Sequence, residues 1–115
     1  MTKKGKFLQK MNEAFAKSDT EYILQNVTDD IKWTVIGDQQ IQGKDEFARA
    51  LKEMEAEEPF EIDIHNIITH GDSAAVDGIM KSVTGKSYSF CDVYKFRGFK
   101  NPLIKEMTSY VIETS

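Results

Sequence analysis

The sequence has little of several residue types that would direct a functional assignment. Its 115 residues include one cysteine, two histidines and two prolines. The single cysteine, Cys91, cannot form a disulfide within the chain, which predicts a reducing, cytoplasmic setting. With so few histidines and cysteines, no metal-ligand spacing and no glycine-rich phosphate loop, we expect neither a metal nor a cofactor.

Long apolar runs and a strong basic charge are also missing. No stretch approaches the ~20 apolar residues that span a bilayer, and the basic start, Met1 to Lys6, has no apolar segment behind it as a secretory signal would. The formal net charge is -4, which argues against a nucleic-acid partner. The length predicts one domain covering residues 1–115.

The first half of the chain reads as helical. Apolar residues at helical spacing predict three helices. Ser18 and Glu21 have the spacing of a capping box for the second helix, and Gly43 opens the third. Between them, residues 31–36 alternate as a short strand that Gly37 ends.

After Phe60 the apolar period changes to two, which predicts strands. We place four of them at residues 60–68, 74–83, 88–96 and 103–113, with the last turn at residues 98–102. Consecutive strands joined by short turns pair antiparallel. The predicted fold is therefore α+β: a cone-shaped, curved, mixed or antiparallel sheet covered by the three N-terminal helices, with a cavity between helices and sheet.

One predicted strand carries a carboxyl group in an aromatic row. Side chains two apart share a face of a strand, so Asp92 lies in one row with Tyr88, Phe90, Tyr94 and Phe96. An apolar wall raises the pKa of a carboxyl, and Asp92 is predicted to donate a hydrogen bond or move a proton near neutral pH. The alternatives are a structural buried carboxyl and an aromatic dimer surface.

Three stretches together resemble the NTF2-like superfamily (cystatin-like fold), and more narrowly its SnoaL-like branch. They are residues 27–37 with 42–47, residues 65–72, and residues 91–96 with 104–110. The resemblance implies the cone fold. It leaves function open, because this fold hosts isomerases, cyclases, hydrolases, dehydratases and binding modules.

The run from Asp92 to Phe96 resembles a strand of ketosteroid isomerase. The family's aspartate there is the acid that apolar surroundings keep protonated in the oxyanion hole, and the resemblance implies that role for Asp92. The family's oxyanion tyrosine falls at Met11, and residues 33–36 lack the family's general base. His65 or Glu106 is then required as the base, although His65 beside Asp63 also suits a solvated position.

The candidate ligand-binding residues are mostly apolar and aromatic. They are Trp33, Met11, Phe15, Met54, Phe90, Tyr94, Glu106 and Tyr110. Core packing is the alternative for Trp33 and the methionines. If the face of the last strand that carries Glu106 and Tyr110 is convex, those two are rim or dimer residues instead.

Two hypotheses for function stay open. In one, the chain is a cofactor-free isomerase or cyclase that acts on a small, mostly apolar carbonyl compound, with Asp92 as the pocket acid. In the other, it is a non-catalytic ligand-binding or dimerising domain. In both, a homodimer through the sheet is expected.

Overall fold

The structure is a computed structural model and describes residues 2–55, 58–98 and 102–114. Its elements are α1 (Lys3–Lys17), α2 (Thr20–Gln25), β1 (Val27–Val35), β2 (Gln39–Gln42), α3 (Lys44–Glu53), β3 (Glu61–His70), β4 (Ser73–Lys81), β5 (Ser87–Phe96) and β6 (Ile104–Glu113).

The strands form one six-stranded sheet in the order β2-β1-β6-β5-β4-β3. The strands β3 to β6 pair antiparallel in succession, as the short turns predict. The strand β1 then joins β6 in parallel, which makes the sheet mixed. This confirms the predicted α+β fold with a curved, unclosed sheet and N-terminal helices.

The helix ends show where local capping differs from the prediction. Thr2 caps α1 by accepting a hydrogen bond from the Gly5 amide at 3.0 Å. The predicted capping box at Ser18 is wrong: Asp19 caps α2, and its side chain accepts from the Tyr22 amide at 3.3 Å. Ser18 instead ends α1 in the left-handed conformation, with φ of 59°, and so belongs to the helix before the turn.

The short strand β2 was not predicted. Its sequence is polar apart from Ile41, so no apolar alternation marks it, and it forms because it pairs with β1 at the edge of the sheet. Gly43 follows with φ of 90°, a conformation that glycine adopts without strain, and the chain turns there into α3. Of the predicted turn at residues 98–102, residues 99–101 lie outside the described part of the chain.

The helices cover one face of the sheet, which is called the inner face below; the opposite face is the outer face. Fully buried side chains from both layers meet there, among them Leu8 and Met11 of α1, Phe47 of α3, and Tyr94 of β5. In the described part of the chain, no helix combines the length and the apolar character that a membrane crossing requires.

Candidate functional site

A cavity of about 410 Å³ lies between the helices and the inner face of the sheet, a volume in the ordinary range of small-molecule sites. Most of its wall is apolar, and the aromatic rings and methionines in it are Phe15, Trp33, Phe60, Tyr88, Phe90, Met54, Met80 and Met107. Its polar lining residues are Asn12, Ser18, Thr20, Asp38, Gln39, Asp92 and Ser109. The cavity is therefore a largely apolar space with a few polar groups.

The pleat of β5 and its register with β6 place Asp92 in this cavity. Alternate residues of a strand face opposite sides of the sheet, and the neighbours of Asp92 along the inner face are Phe90 and Tyr94, which are 5% and 0% exposed. Across the sheet, Asp92 pairs with Ser109 of β6, so the carboxyl and the hydroxyl lie on the same face. The aromatic row predicted from the sequence is thus directed inward.

Burial dominates the acidity of Asp92. Desolvation in the apolar cavity raises the pKa of Asp92 from 3.8 to about 6, and hydrogen bonds from Ser109 and Tyr94 oppose the shift by stabilising the charged form. The side chain keeps part of its exposure and lines the cavity. Asp92 is therefore a group that changes charge near neutral pH where a ligand has access to it.

Two side chains, Tyr94 and Ser109, form hydrogen bonds to this carboxyl, and two more donate to them. The Tyr94 hydroxyl donates to Asp92 Oδ2 at 3.4 Å, and Asn12 Nδ2 donates to the Tyr94 hydroxyl at 3.1 Å. On the other side, Trp33 Nε1 donates to Ser109 Oγ at 2.9 Å. Residues of α1, β1, β5 and β6 thus converge on one acid.

Several of the residues predicted to bind ligand line the cavity: Trp33, Phe15, Met54 and Phe90, together with Asp92. The Trp33 ring meets Phe15 and Phe47 edge to face, with centroids at 5.8 and 5.4 Å. Met11 and Tyr94 are fully buried and are not among the lining residues of the cavity. Both pack in the core, and Tyr94 reaches the site through its hydroxyl.

His65 lies away from Asp92. It sits on the edge strand β3, where the pairing with β4 is irregular between Ile64 and Asn66, and its Nε2 is 3.5 Å from the Asp63 carboxylate. Its surroundings are a separate depression between β3 and α1, lined also by Gln9 and Glu13. The structure therefore separates His65 from the pocket acid, in agreement with the solvated position that its neighbour suggested.

Glu106 and Tyr110 lie on the outer face of β6. They alternate with Met107 and Ser109, which line the cavity, and Tyr110 is 46% exposed. The sequence left undecided whether this face of β6 is concave or convex. In the structure Glu106 and Tyr110 lie on the convex side, as rim or surface residues. They do not join Asp92 around the cavity.

Sequence reasoning singled out only Asp92 among the polar lining residues and missed Asn12, Ser18, Thr20, Asp38, Gln39 and Ser109. Asp38 directly follows Gly37 in the turn between β1 and β2 and is exposed at the cavity mouth. It lies two positions after residues 33–36, the stretch in which the resemblance to ketosteroid isomerase implies a general base. Asn12 is the one polar side chain among the buried residues of α1, but Lys10 and Glu13 near it are polar too, so the sequence carries no signal that distinguishes it.

Among the described residues, no group of three or more His, Cys, Asp or Glu side chains converges as a metal site would. The polar groups of the cavity are instead suited to hydrogen bonding and proton transfer.

Comparison with known proteins gives a family and a fold. A family model described as a SnoaL-like domain matches residues 8–107. No curated protein matches the sequence.

Solved structures resemble the chain over nearly its whole length. An NTF2-like protein of unknown function from Cytophaga hutchinsonii ATCC 33406 is 27% identical, with 94% of this chain and 98% of that chain covered and a TM-score of 0.68. An LEH-like epoxide hydrolase from M. tuberculosis is 18% identical, with 95% and 82% covered and a TM-score of 0.76. A proposed ketosteroid isomerase from Kribbella flavida DSM 17836 is 14% identical, with 97% and 79% covered and a TM-score of 0.76. The last two show the fold alone.

Proposed function

The chain belongs to the family of SnoaL-like domains, and on that premise we propose that its cavity binds a small, mostly apolar carbonyl compound beside Asp92. Protonated Asp92 donates a hydrogen bond to the carbonyl oxygen and stabilises the enolate that forms when a neighbouring carbon loses a proton. The reaction class is that of a cofactor-free isomerase or cyclase.

One observation carries this proposal: a carboxyl with a pKa raised to about 6 lines an apolar cavity. An acid of this strength exchanges its proton near neutral pH, and in surroundings of low polarity each hydrogen bond to a ligand oxygen is stronger than in water. Such an acid suits an oxygen that gains negative charge during a reaction.

The charges around the cavity restrict the ligand further. Its described lining residues include two carboxyls, Asp38 and Asp92, and no lysine, arginine or histidine. A carboxylate or phosphate ligand would meet like charge without a compensating cation. The ligand is therefore neutral, with an apolar body that fits the rings and methionines of the wall.

A base must remove the proton from carbon. The sequence suggested His65 or Glu106, and neither lines the cavity. Asp38 is the other carboxyl that does, and we assign the role of base to it as part of the same proposal. The pair would then act as base at the mouth and acid in the interior, with the substrate carbon moving its proton to Asp38 while its oxygen accepts a hydrogen bond from Asp92.

The second candidate is a ligand-binding domain without catalysis. The exposure of Asp38 favours it, because water competes with a substrate for a carboxylate at the surface. The same cavity would then hold a neutral apolar compound without changing it.

A binding experiment tests the site itself. Trp33 is the one tryptophan of the chain and lines the cavity, so its fluorescence reports occupancy. We expect phenols, which resemble enolates, to bind and to lose about tenfold in affinity in Asp92→Ala, because the hydrogen bond that protonated Asp92 donates to the phenol oxygen is removed. Benzoate of similar size should bind more weakly than phenol. Glu106→Ala, on the outer face, is the matched control, and equal affinity in Asp92→Ala and Glu106→Ala would contradict the proposal.

An exchange experiment separates the two candidates. A small apolar ketone is incubated with the protein in D₂O, and loss of the α-proton signal is followed by NMR. The enzyme hypothesis expects exchange above the buffer rate, lost in both Asp38→Asn and Asp92→Asn. Phenol binding without such exchange would favour the binding domain.

We also propose that the chain forms a homodimer and that it is located in the cytoplasm. Val93, Tyr110 and Ile112 are exposed on the outer face at 39%, 46% and 67%, and an apolar surface of this kind suits a second copy of the chain. The single free cysteine supports a reducing compartment.

A further inference from the structure

The hydrogen bonds that lead from α1 to Asp92 all have the donor on the α1 side and the acceptor on the Asp92 side. Asn12 is buried, and its Nδ2 contacts the Leu8 carbonyl oxygen at 2.8 Å and the Tyr94 hydroxyl at 3.1 Å. The Leu8 oxygen can only accept, which fixes the orientation of the Asn12 amide, so both Asn12 protons are donated. The Tyr94 oxygen accepts one of them, and its own proton is left for Asp92 Oδ2 at 3.4 Å. Asn12 and Tyr94 form what we call the tyrosine chain.

A second chain of hydrogen bonds has the same donor-to-acceptor direction, and its residues belong to the sheet. The indole Nε1 of Trp33 has a proton and no acceptor lone pair, so Ser109 Oγ must accept the bond that joins them at 2.9 Å. The Ser109 hydroxyl proton is then free to be donated to Asp92, its partner across the strands β5 and β6. Trp33 and Ser109 form the serine chain.

We infer that these two donor chains end on Asp92 and direct the acidic proton of its protonated form into the cavity, so that the ligand atom bound to that form is a hydrogen-bond acceptor. Both protein neighbours donate their single hydroxyl proton to the carboxyl, so in this arrangement neither is oriented to accept the proton of Asp92. When Asp92 is protonated, its proton is directed to an occupant of the cavity. This inference deepens the proposed function and rests on it for the identity of the site.

Asn12 and Trp33 are positioning residues in this arrangement. Neither is bonded to Asp92 in the network, and each fixes the hydroxyl of the residue that is. Without Asn12, the Tyr94 hydroxyl could accept a bond and rotate away from Asp92; without the Trp33 donor, the Ser109 proton would no longer be directed. The network therefore predicts effects on Asp92 from residues that do not touch it.

Other titratable groups also lie near Asp92 and could affect its charge. Tyr88 and Asp38 also line the cavity. Cys91 lies on the outer face of the same strand. Tyr94 stays protonated, because burial first, and the Asp92 charge second, raise the pKa of its hydroxyl well above the ordinary value. It is thus a donor throughout the pH range of the test.

The test is a measurement of the Asp92 pKa by carboxyl NMR in variants of each chain. Tyr94→Phe and Ser109→Ala each remove one hydrogen-bond donor to the carboxylate. Each should raise the pKa of Asp92 by about one pH unit, the size expected for one hydrogen bond. Asn12→Leu should raise it by less. Tyr88→Phe, which removes a hydroxyl from the same wall and the same strand face, is the matched control and should leave it unchanged.

A double-mutant cycle tests whether Asn12 acts through Tyr94. In the Tyr94→Phe background, Asn12→Leu should add nothing, whereas Ser109→Ala should add its full effect, because it belongs to the other chain. An Asn12 effect of the same size in both backgrounds would overturn the inference. Asn12→Ala replaces Asn12→Leu if the larger side chain prevents folding, and thermal unfolding checks the fold of each variant.

Ligand binding provides an independent measurement. Phenol affinity should fall as pH rises through the Asp92 pKa, and Tyr94→Phe should move that fall to higher pH by the amount seen in NMR. If phenol does not bind at all, the proposed function fails while the NMR cycle still decides whether the donor chains exist. If phenol binds best at high pH, Asp92 accepts from the ligand and the direction inferred for the proton is wrong.

Discussion

The two faces of β5 and β6 show how one pair of strands can build two different environments. On the inner face, Asp92 and Ser109 pair beside Tyr94 and Met107 under the helices. One residue along, Cys91 pairs with Tyr110 on the open outer face. The backbone geometry is common to both, so the difference arises from what covers each face. Burial under helices converts an ordinary aspartate into an acid that titrates near neutral pH, whereas the uncovered face keeps apolar side chains in contact with water.

The largest effect expected from this difference is on stability. Phe90→Ala on the inner face should cost about 3 kcal/mol of unfolding free energy, as large-to-small changes in a core do, because Phe90 is 5% exposed. Val93→Ala, on the outer face of the same strand, should change it by less than about 0.5 kcal/mol. Urea unfolding measures both. Equal costs would show that something also covers the outer face.

The pH dependence of stability should report the charge on Asp92. Its pKa is raised to about 6 in the fold from 3.8, so its contribution to stability is complete below the unfolded value and is lost as pH rises through about 6. Asp92→Asn removes this loss and should stabilise the protein at pH 8 by up to about 3 kcal/mol, with little change at pH 4.

The control for that prediction is Asp38→Asn, which removes an exposed carboxyl at the mouth of the same cavity. It should leave the profile of stability against pH close to that of the parent protein. A parent profile that is flat between pH 4 and pH 8 would mean that Asp92 is well solvated.

A smaller effect is expected on association through the outer face. Tyr110→Lys places a charge in the exposed apolar surface and should weaken a homodimer by tenfold or more, which sedimentation at several concentrations would measure. Lys95→Ala, on the same face near its end, is the control for a general change of surface charge. A Tyr110→Lys dimer as tight as the parent would place the interface elsewhere.

The smallest expected effect is that of the Asp92 charge, on the inner face, on the reactivity of Cys91, on the outer face. The pKa of the Cys91 thiol is raised, first by burial and then by the charges of Asp92 and Asp77. Asp92→Asn removes one of the smaller contributions, so alkylation of Cys91 at pH 8 should become about twofold faster. An unchanged rate in Asp92→Asn with a faster rate in Asp77→Asn would show that the inner charge does not act across the sheet.

The parts of the fold that depend on local patterns could be predicted from the sequence. The alternation of β5 and its neighbours gave the antiparallel strands, and the apolar periodicity gave the helices. The strand β2 was missed because Gln39–Gln42 is polar and forms only by pairing with β1. The cap of α2 was misplaced because Ser18 and Asp19 are both good capping residues, and only the geometry of the turn decides between them.

The candidate site was predictable in part. The pleat of one strand predicted which residues share a face with Asp92, although not whether that face lines a cavity, and Trp33, Phe15, Met54 and Phe90 do line the cavity. The sequence did not predict which face of β6 is directed inward. Its inner residues Met107 and Ser109 together are no more apolar than residues on a surface strand can be. Only the pairing with β5 separates them from Glu106 and Tyr110.

The sequence by itself determined that a carboxyl lies among aromatic rings on one face of a strand, because the period of a strand is a local property of the chain. The tertiary structure decided what that carboxyl meets. Asn12 reaches Tyr94 from 82 positions away, and Trp33 reaches Ser109 from 76. Such contacts depend on the packing of α1 over β5 and on the register of β1 with β6, which no short stretch of sequence encodes.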